Sequence, residues 1–426
     1  MPDGTATAHL YRPKLLTTLH EGYGADRFRK DLFAGLTVAI VALPLSMAFA
    51  IASGVTPERG LYTAIVGGFL VSALGGSRFQ IGGPAGAFIV LVSATVARLG
   101  LDGLLLTVLL SGAMLTLIGV SRLGSLIRHI PHAVTVGFTA GIAVVILASQ
   151  LKDLGGLRLA VPEPGQFLPK LMVLGHALST LNPAALGIGL GSAALIFLQR
   201  RFKPSWPGML LAVIAASVAA KLLHLPVETI GSRFGALPHG LPIPHLPLWS
   251  PARIAAVLPS ALSFTLLGGV ESLLSAKVAD SMTGRKHRSN MELVAQGIAN
   301  MASAVFGGIP VTGTIARTAT NVRAGATSPL SGMMHALFVL LFLMVAAPLA
   351  GYVPLASLSG VLVVVCWYMV EKKEFALAFR HWTTALVLLV TFVLTVVKDL
   401  STGIITGCLL AVLLALIHRR VPEEGV

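Results

Sequence analysis

The chain has 426 residues, of which 55% are hydrophobic and only 11% charged. A soluble protein is about 25% charged, so this composition excludes a soluble enzyme and implies a polytopic membrane protein. The formal charge is +14, but the basic residues are scattered through short loops and do not line one amphipathic face. That pattern excludes a nucleic-acid partner and fits loop charge that orients a membrane protein.

The first 30 residues are polar, with no early apolar core and no small-residue cleavage site, so no signal peptide is expected. A helix needs about 20 apolar residues to cross the hydrocarbon core. The candidate spans in chain order are 32–53, 60–76, 84–99, 103–120, 132–150, 184–199, 207–224, 254–281, 291–306, 314–322, 329–349, 354–370, 382–398 and 401–418. The expected fold is all-α with fourteen spans. Pro44 falls inside the first, in Ala42-Leu-Pro-Leu-Ser-Met-Ala-Phe49, where its missing N–H should interrupt and kink the helix.

The third and tenth spans are short. Each follows a glycine- and proline-broken stretch, Ile81-Gly-Gly-Pro-Ala-Gly86 and Gly307-Gly-Ile-Pro-Val-Thr-Gly-Thr314. Both read as half-helices preceded by short extended segments. Such backbone is tolerated at membrane depth only where protein or a water-filled cavity covers it. Interrupted segments at matching places in two halves are the mark of a secondary transporter. Their exposed N-terminal N–H groups favour anions.

Two longer loops stand out. Residues 151–183 are mixed polar. Residues 225–253 are proline-rich and contain His239-Gly-Leu-Pro-Ile-Pro-His245, which reads as a stiff loop in preference to a metal site. The second loop leaves seven spans on each side. Seven is odd, so the second half inserts upside down relative to the first, and the N-termini of spans 3 and 10 meet near the midplane. The charge bias sets orientation. One side collects twenty Lys and Arg, including Arg12, Arg78, Arg128, Arg200, Arg201, Lys372 and Arg420; the other holds nine. Both termini are thereby placed in the cytoplasm.

Two ionisable residues fall within spans and are candidates for function by that fact. Arg317 lies in the first turn of the tenth span. It reads either as an anion-binding guanidinium beside a helix N-terminus or as a structural tie to a neighbour's carbonyls. Glu271 lies midway along the eighth span, with Ser275 on the same face. It reads either as a proton acceptor or as the fixed partner of Arg317. Lys277 and Asp280 are spaced to pair near the end of that span. Phe49 reads either as a wall of an anion site, through its ring edge, or as a packing or lipid-facing aromatic. Gly187-x-Gly189-x-Gly191 marks a close helix contact. The two cysteines, Cys366 and Cys408, sit singly in apolar runs. There is no metal-ligand spacing and no GxxxxGK[ST] loop, so no metal, cofactor or ATP drive is expected.

Several motifs together resemble the SulP family of anion transporters, the sulfate permease and prestin-like group. They are Asp31-Leu-Phe-Ala-Gly-Leu-Thr-Val-Ala39 with Leu43-Pro44 and Met47-Ala-Phe49; Gly60-Leu-Tyr62; Gly75-Gly-Ser-Arg78 through Gly83-Pro84; Glu271-Ser-Leu-Leu-Ser275 with Ala279-Asp280; Asn290 through Asn300; Gly307-Gly308; Thr314 through Asn321; and Thr391 to Leu400. The resemblance covers Asp31 to about Leu416. It implies two inverted seven-helix repeats and a membrane domain divided in two. The core comprises 31–122 and 254–349, and the gate 123–253 and 350–418. Residues 1–30 and 419–426 are cytoplasmic. It implies an anion site of Phe49, Ala85, Gly86, Glu271, Ala316 and Arg317, a homodimer, and residence in the bacterial inner membrane.

Two departures stand out. Leu45 occupies the place where many relatives carry Gln or Glu, and the sequence stops at Val426, where relatives usually continue into a cytoplasmic STAS domain. The expected activity is secondary transport of a small anion such as sulfate, bicarbonate or a dicarboxylate like fumarate. Proton coupling at Glu271 is expected because it is the acidic residue placed mid-span. An anion exchanger or passive channel would use the same site. A nucleobase transporter of similar architecture would need paired carboxylates or amides where this chain has Arg317.

Overall fold

Two extended glycine segments from opposite halves of the chain meet and pair, and the helices are arranged around them. In the computed structural model, which describes residues 11–124, 131–161, 163–164, 166–203, 206–398 and 400–419, β1 (Gly82–Gly83) and β2 (Thr312–Gly313) form an antiparallel pair with Gly82 opposite Gly313 and Gly83 opposite Thr312. Arg128, Arg420 and the 420–426 stub lie outside the described residues.

The first half runs α1 (Lys14–His20), α2 (Ala25–Ala52), α3 (Pro57–Tyr62), a π turn (Thr63–Gly67), α4 (Gly68–Leu74), β1, a 3-10 turn (Gly86–Phe88) and α5 (Ile89–Val120). It continues through α6 (His132–Gly155), α7 (Phe167–His176), α8 (Pro183–Phe202), α9 (Gly208–Leu222) and α10 (Ile230–Phe234). The second half runs α11 (Pro251–Thr283), α12 (Ser289–Val305), β2, α13 (Ile315–Arg323), α14 (Leu330–Ala350), α15 (Leu355–Met369), α16 (Lys372–Ala378), α17 (Trp382–Val397) and α18 (Leu400–Arg419).

Among the described residues, seven helices are long and apolar enough to cross a membrane, and three shorter apolar helices accompany them. One of the seven stretches, Gly86–Val120, has 35 residues. At about 1.5 Å per residue it would be about 52 Å long, well beyond the roughly 30 Å core. It is broken at Gly100, whose φ of 69° and ψ of −175° are not helical. A break at this point was expected from the sequence, between 99 and 103.

The expected interruption at Pro44 is not made. α2 stays helical from Ala25 to Ala52 with Pro44 buried inside it. Proline removes one donor, and in a membrane helix tightly packed neighbours support the backbone around it. Of the three glycines at 187, 189 and 191, only Gly189 is at a close contact. A Cβ there would lie 2.5 Å from Leu154 Cδ1 and 3.0 Å from the Ala356 carbonyl, whereas the other two face open space.

The densest packing sets α5 against α12 and α11, and α2 against α14. Elsewhere α17 packs on α6 and α18, and α15 on α8 and α6. The α5–α12 contact is close because glycines face each other: a Cβ on Gly112 would sit 2.6 Å from the Gly297 carbonyl. Contacts between the two groups are thinner and run through α2 against α15 and α9.

The N-terminal segment straps one end of the first group. Tyr11 donates to the Val120 carbonyl at 2.7 Å, the Lys14 N–H to Gly75 O at 2.9 Å, and Arg288 Nη1 to Arg12 O at 2.5 Å. Buried Arg78 grips Glu21 with both guanidinium arms and holds its carboxyl below the usual range. Asp31 joins the start of α2 to the loop before α14, accepting from Tyr23 at 2.8 Å, the Thr327 N–H at 2.5 Å and the Ser328 hydroxyl.

Candidate functional site

Non-helical backbone inside an apolar bundle must find partners for its N–H and C=O groups. Here α12 supplies them from one polar face. Glu292, Gln296, Asn300 and Ser303 recur at helical spacing and are all buried. Ser303 Oγ donates to Ile309 O at 2.8 Å. Asn300 donates to Val311 O at 2.7 Å and accepts from the Val311 N–H at 3.0 Å. Glu292 Oε2 accepts from the Ser77 N–H at 2.9 Å. One helix therefore holds the lead-ins to both broken helices. Thr63 adds its hydroxyl, accepting from the Ile309 N–H at 2.7 Å.

Antiparallel pairing of β1 and β2 sends the two following helices in opposite directions with their N-termini close together. Neither start has a side-chain cap: Ala85 precedes the 3-10 turn and Thr314 precedes α13, and neither side chain bonds the first-turn N–H groups. Polar side chains tie the pair to α11. Ser272 and Thr312 hydroxyls are 2.8 Å apart, and Ser275 donates to Thr318 Oγ1 at 3.0 Å.

Arg317 lies 2% exposed at this junction. Its Nη2 donates to Ser46 Oγ on α2 at 3.2 Å and to Pro84 O at 3.3 Å. Nη1 is shut off from solvent and has no partner. The guanidinium lies across Gly83, where a Cβ would be 2.1 Å from Nη1. A side chain on Gly83 would thus take the place of the cation. Of the two roles open to Arg317 in sequence, the carbonyl tie is present, and one arm of the fork is left over.

The expected site residues fall as follows. Phe49, Ala85 and Gly86 are buried, and a Cβ on Gly86 would stand 3.4 Å from Phe49 Cε1 and 3.6 Å from Ile146 Cδ1 of α6. Ala85 adjoins Pro84, which Arg317 holds. Ala316, next to Arg317, is exposed. Glu271 projects from α11 one residue before Ser272. Its Oε2 is sheltered from solvent without a hydrogen-bond partner.

The Glu271–Arg317 ion pair considered from the sequence is not formed: among the described residues, no carboxylate lies within 4.0 Å of Arg317. Arg317 instead reaches back across β1 to α2. Asp280 does not pair with Lys277 either. It accepts from His287 Nδ1 at 2.6 Å and from the His287 N–H at 3.0 Å, because the turn after Thr283 folds His287 back onto α11. His245 of the proline-rich loop is engaged through its backbone, donating to Val305 O at 3.0 Å.

Sequence reasoning missed the polar face of α12. The signal was present as the 4-4-3 spacing of Glu292, Gln296, Asn300 and Ser303, which stands out against otherwise small and apolar neighbours.

The sulfate permease family profile matches residues 28–395. YvdB of Bacillus subtilis (strain 168) is 45% identical over 406 residues, which is 95% of this chain and 76% of that protein. The bicarbonate transporter BicA of a Picosynechococcus species is 32% identical over 343 residues, 78% of this chain and 60% of that protein. The solved transmembrane domain of a cyanobacterium bicarbonate transporter BicA superposes with a TM-score of 0.81 at 30% identity, covering 92% of this chain and 98% of that one. The chain belongs to the sulfate permease family, whose members here are transporters and not enzymes.

Proposed function

We propose that this sulfate permease family member is a secondary active transporter of small anions, with sulfate, bicarbonate and dicarboxylates such as fumarate as the candidate substrates. The observation that carries the reading is the junction of two uncapped helix N-termini beside Arg317, whose buried Nη1 has no protein partner. Helix N-termini and an unsatisfied guanidinium N–H both favour an oxyanion. The anion sits among Phe49, Ala85, Gly86, Glu271, Ala316 and Arg317.

Transport proceeds by the core (31–122 and 254–349) moving against the gate (123–253 and 350–418), within fourteen spans arranged as two inverted repeats. The thin contact seam between the two helix groups supports this division, and the antiparallel β1–β2 rung supports the inversion. The protein works as a homodimer in the bacterial inner membrane with both termini in the cytoplasm.

Coupling is to protons at Glu271. Among the described residues no cation lies within 4.0 Å to offset an ionised carboxylate there, and an entering anion would add a like charge in low dielectric. Protonation removes both penalties. The test is uptake into proteoliposomes across sulfate, bicarbonate, chloride, oxalate and fumarate, with and without an acid-outside gradient, for wild type and Glu271→Gln. The expected result is saturable uptake of at least one of these anions that the gradient drives in wild type, while Glu271→Gln exchanges anion but no longer accumulates it. Wild-type uptake that ignores the gradient, or a Gln variant that still follows it, removes Glu271 from coupling. Uptake that does not saturate replaces the carrier with a channel.

A further inference from the structure

α8 and α15 run parallel in close contact. Gly189 faces Gly360 near their starts, Ser192 Oγ donates to Ser357 Oγ at 2.9 Å, and Phe197 meets Trp367 and Tyr368 near their ends. Both helices therefore finish at the same face of the bundle. There Arg200 stacks over the Tyr368 ring, its Cζ 3.8 Å from the centroid, and Lys372 Nζ stands 3.2 Å above the Trp367 ring. Phe197 lies against both rings, with centroid separations of 6.2 Å to Trp367 and 5.8 Å to Tyr368.

We propose that this aromatic and cationic cluster binds the headgroup of an acidic phospholipid. Stacking occupies the face of the guanidinium and one side of the ammonium. It leaves their N–H groups directed outward. Among the described residues, no carboxylate comes within 4.0 Å of either cation. The nearby acidic groups are Glu371, which is exposed, and Glu374, whose Oε2 is 3.3 Å from His132 Nε2. Against these stand Arg200 and Lys372 with exposed Arg201, Lys203 and Lys373 beside them. The surplus of donors suits a phosphodiester.

A lipid is favoured over a soluble phosphate by what adjoins the cations. α8 is an apolar span whose outer face remains uncovered, with Leu198 56% and Phe202 67% exposed, and Trp206 at its end is 58% exposed. Exposed aromatics at the end of an apolar span mark the headgroup level. Acyl chains lie along α8 while the phosphate meets the stacked cations, the arrangement by which basic pockets between membrane helices select acidic lipids.

The experiment measures lipid retention by the delipidated full chain. The protein is titrated with phosphatidylglycerol or with phosphatidylcholine in mixed micelles, and bound lipid is counted by native mass spectrometry. Wild type is expected to retain phosphatidylglycerol in preference to phosphatidylcholine. Arg200→Gln/Lys372→Gln should lose about fivefold in affinity per charge, so about 25-fold for the pair. A control pair elsewhere on the surface, Lys30→Gln/Arg380→Gln, should lose less than about twofold. Trp367→Leu/Tyr368→Leu keeps every charge and removes the stacking, with an expected loss of about two- to fivefold; it serves if the charge pair fails to fold.

Equal retention of both lipids by wild type overturns the proposal. So does an equal loss in the control pair, which would mean undirected surface charge, or unchanged affinity in both site variants. Competition by glycerophosphate as strong as by the whole lipid also overturns it, since the site would then serve a soluble phosphate.

Discussion

Gly83→Ala tests whether the placement of Arg317, and not merely its presence, governs transport. A Cβ at this position would lie 2.1 Å from Nη1. To reach an ordinary contact of 3.4 Å the guanidinium must withdraw by 1.3 Å. The strand is held in place because Gly83 is paired with Thr312, so the flexible guanidinium yields first. The withdrawal therefore costs Arg317 its contacts with Pro84 and Ser46 and moves Nη1 away from the two helix N-termini. If one charge-assisted hydrogen bond to the anion is lost, about 1.5–3 kcal/mol goes with it, or about ten- to 150-fold in apparent affinity. Gly268→Ala on α11, outside the proposed anion site, is the matched buried control. Its methyl meets Leu115 Cδ1 and Phe88 Cζ at 3.6 Å each, ordinary contacts that displace no polar atom. The assay is the concentration dependence of anion uptake in proteoliposomes, with melting temperature and size-exclusion profile as folding controls. Wild-type affinity in a folded Gly83→Ala protein would refute the assignment of Nη1 to the anion. So would a Gly268→Ala loss as large as that of Gly83→Ala.

Three further outcomes follow from the geometry. Arg317→Ala is expected to lower anion uptake at least about tenfold in a folded protein, and Arg317→Lys to restore only part, since an ammonium lacks the planar fork that spans Ser46, Pro84 and the anion; equal uptake by all three proteins would contradict it. Asn300→Leu leaves the Val311 N–H and C=O unpaired in the interior, at about 1–3 kcal/mol each, so its melting temperature in detergent should fall clearly; an unchanged melt would show that Asn300 is not what holds the second extended segment. The Glu21 carboxyl is held below its ordinary 4.5 by the hydrogen bonds from Arg78, so this contact contributes fully above that pH and is lost as pH falls through the lower folded-state value. Hydrogen-exchange protection in 14–24, taken relative to the intrinsic rate at each pH, should fall on acidification in wild type and show no such step in Glu21→Gln; identical protection profiles would exclude the strap as the cause.

Much of the scaffold is legible in sequence because membrane helices announce themselves by apolar length and by the glycines and prolines between them. The helix limits fall within a few residues of the apolar runs, and the break in Gly86–Val120 falls where the run reads Gly100-Leu-Asp-Gly103. Short helices such as α7 and α10 carry no such signal, since ten or five residues cannot bury a full apolar face. Pairings were harder. Asp280 and Lys277 are three apart on one helix, but His287 is brought to Asp280 by a turn whose geometry rests on Gly284 at φ 69°. Asn300 and Val311, or Ser77 and Glu292, meet through tertiary packing that no local spacing encodes. The Glu271–Arg317 pair failed for the same reason: a sequence places two opposite charges at similar depth, but only the fold shows that the guanidinium turns toward Gly83 and Pro84.

Glu271 and Glu292 show why depth alone does not identify a working group. Glu292 is fully buried, yet its Oε2 receives the Ser77 N–H and its helix also holds Val311 and Ile309. That hydrogen bond gives Glu292 a structural duty at the lead-in to β1, while its Oε1 has no hydrogen-bond partner among the described residues. For Glu271, Oε2 has no hydrogen-bond partner among the described residues, and α11 is tied to β2 and α13 by Ser272 and Ser275, one and four residues further along. In the proposed cycle, a group without such ties could change its protonation without unpinning the junction. With Leu45 apolar and buried on α2, the proposed coupling role falls to Glu271, and it stands or falls with the proposed anion site at Arg317 and the two helix ends.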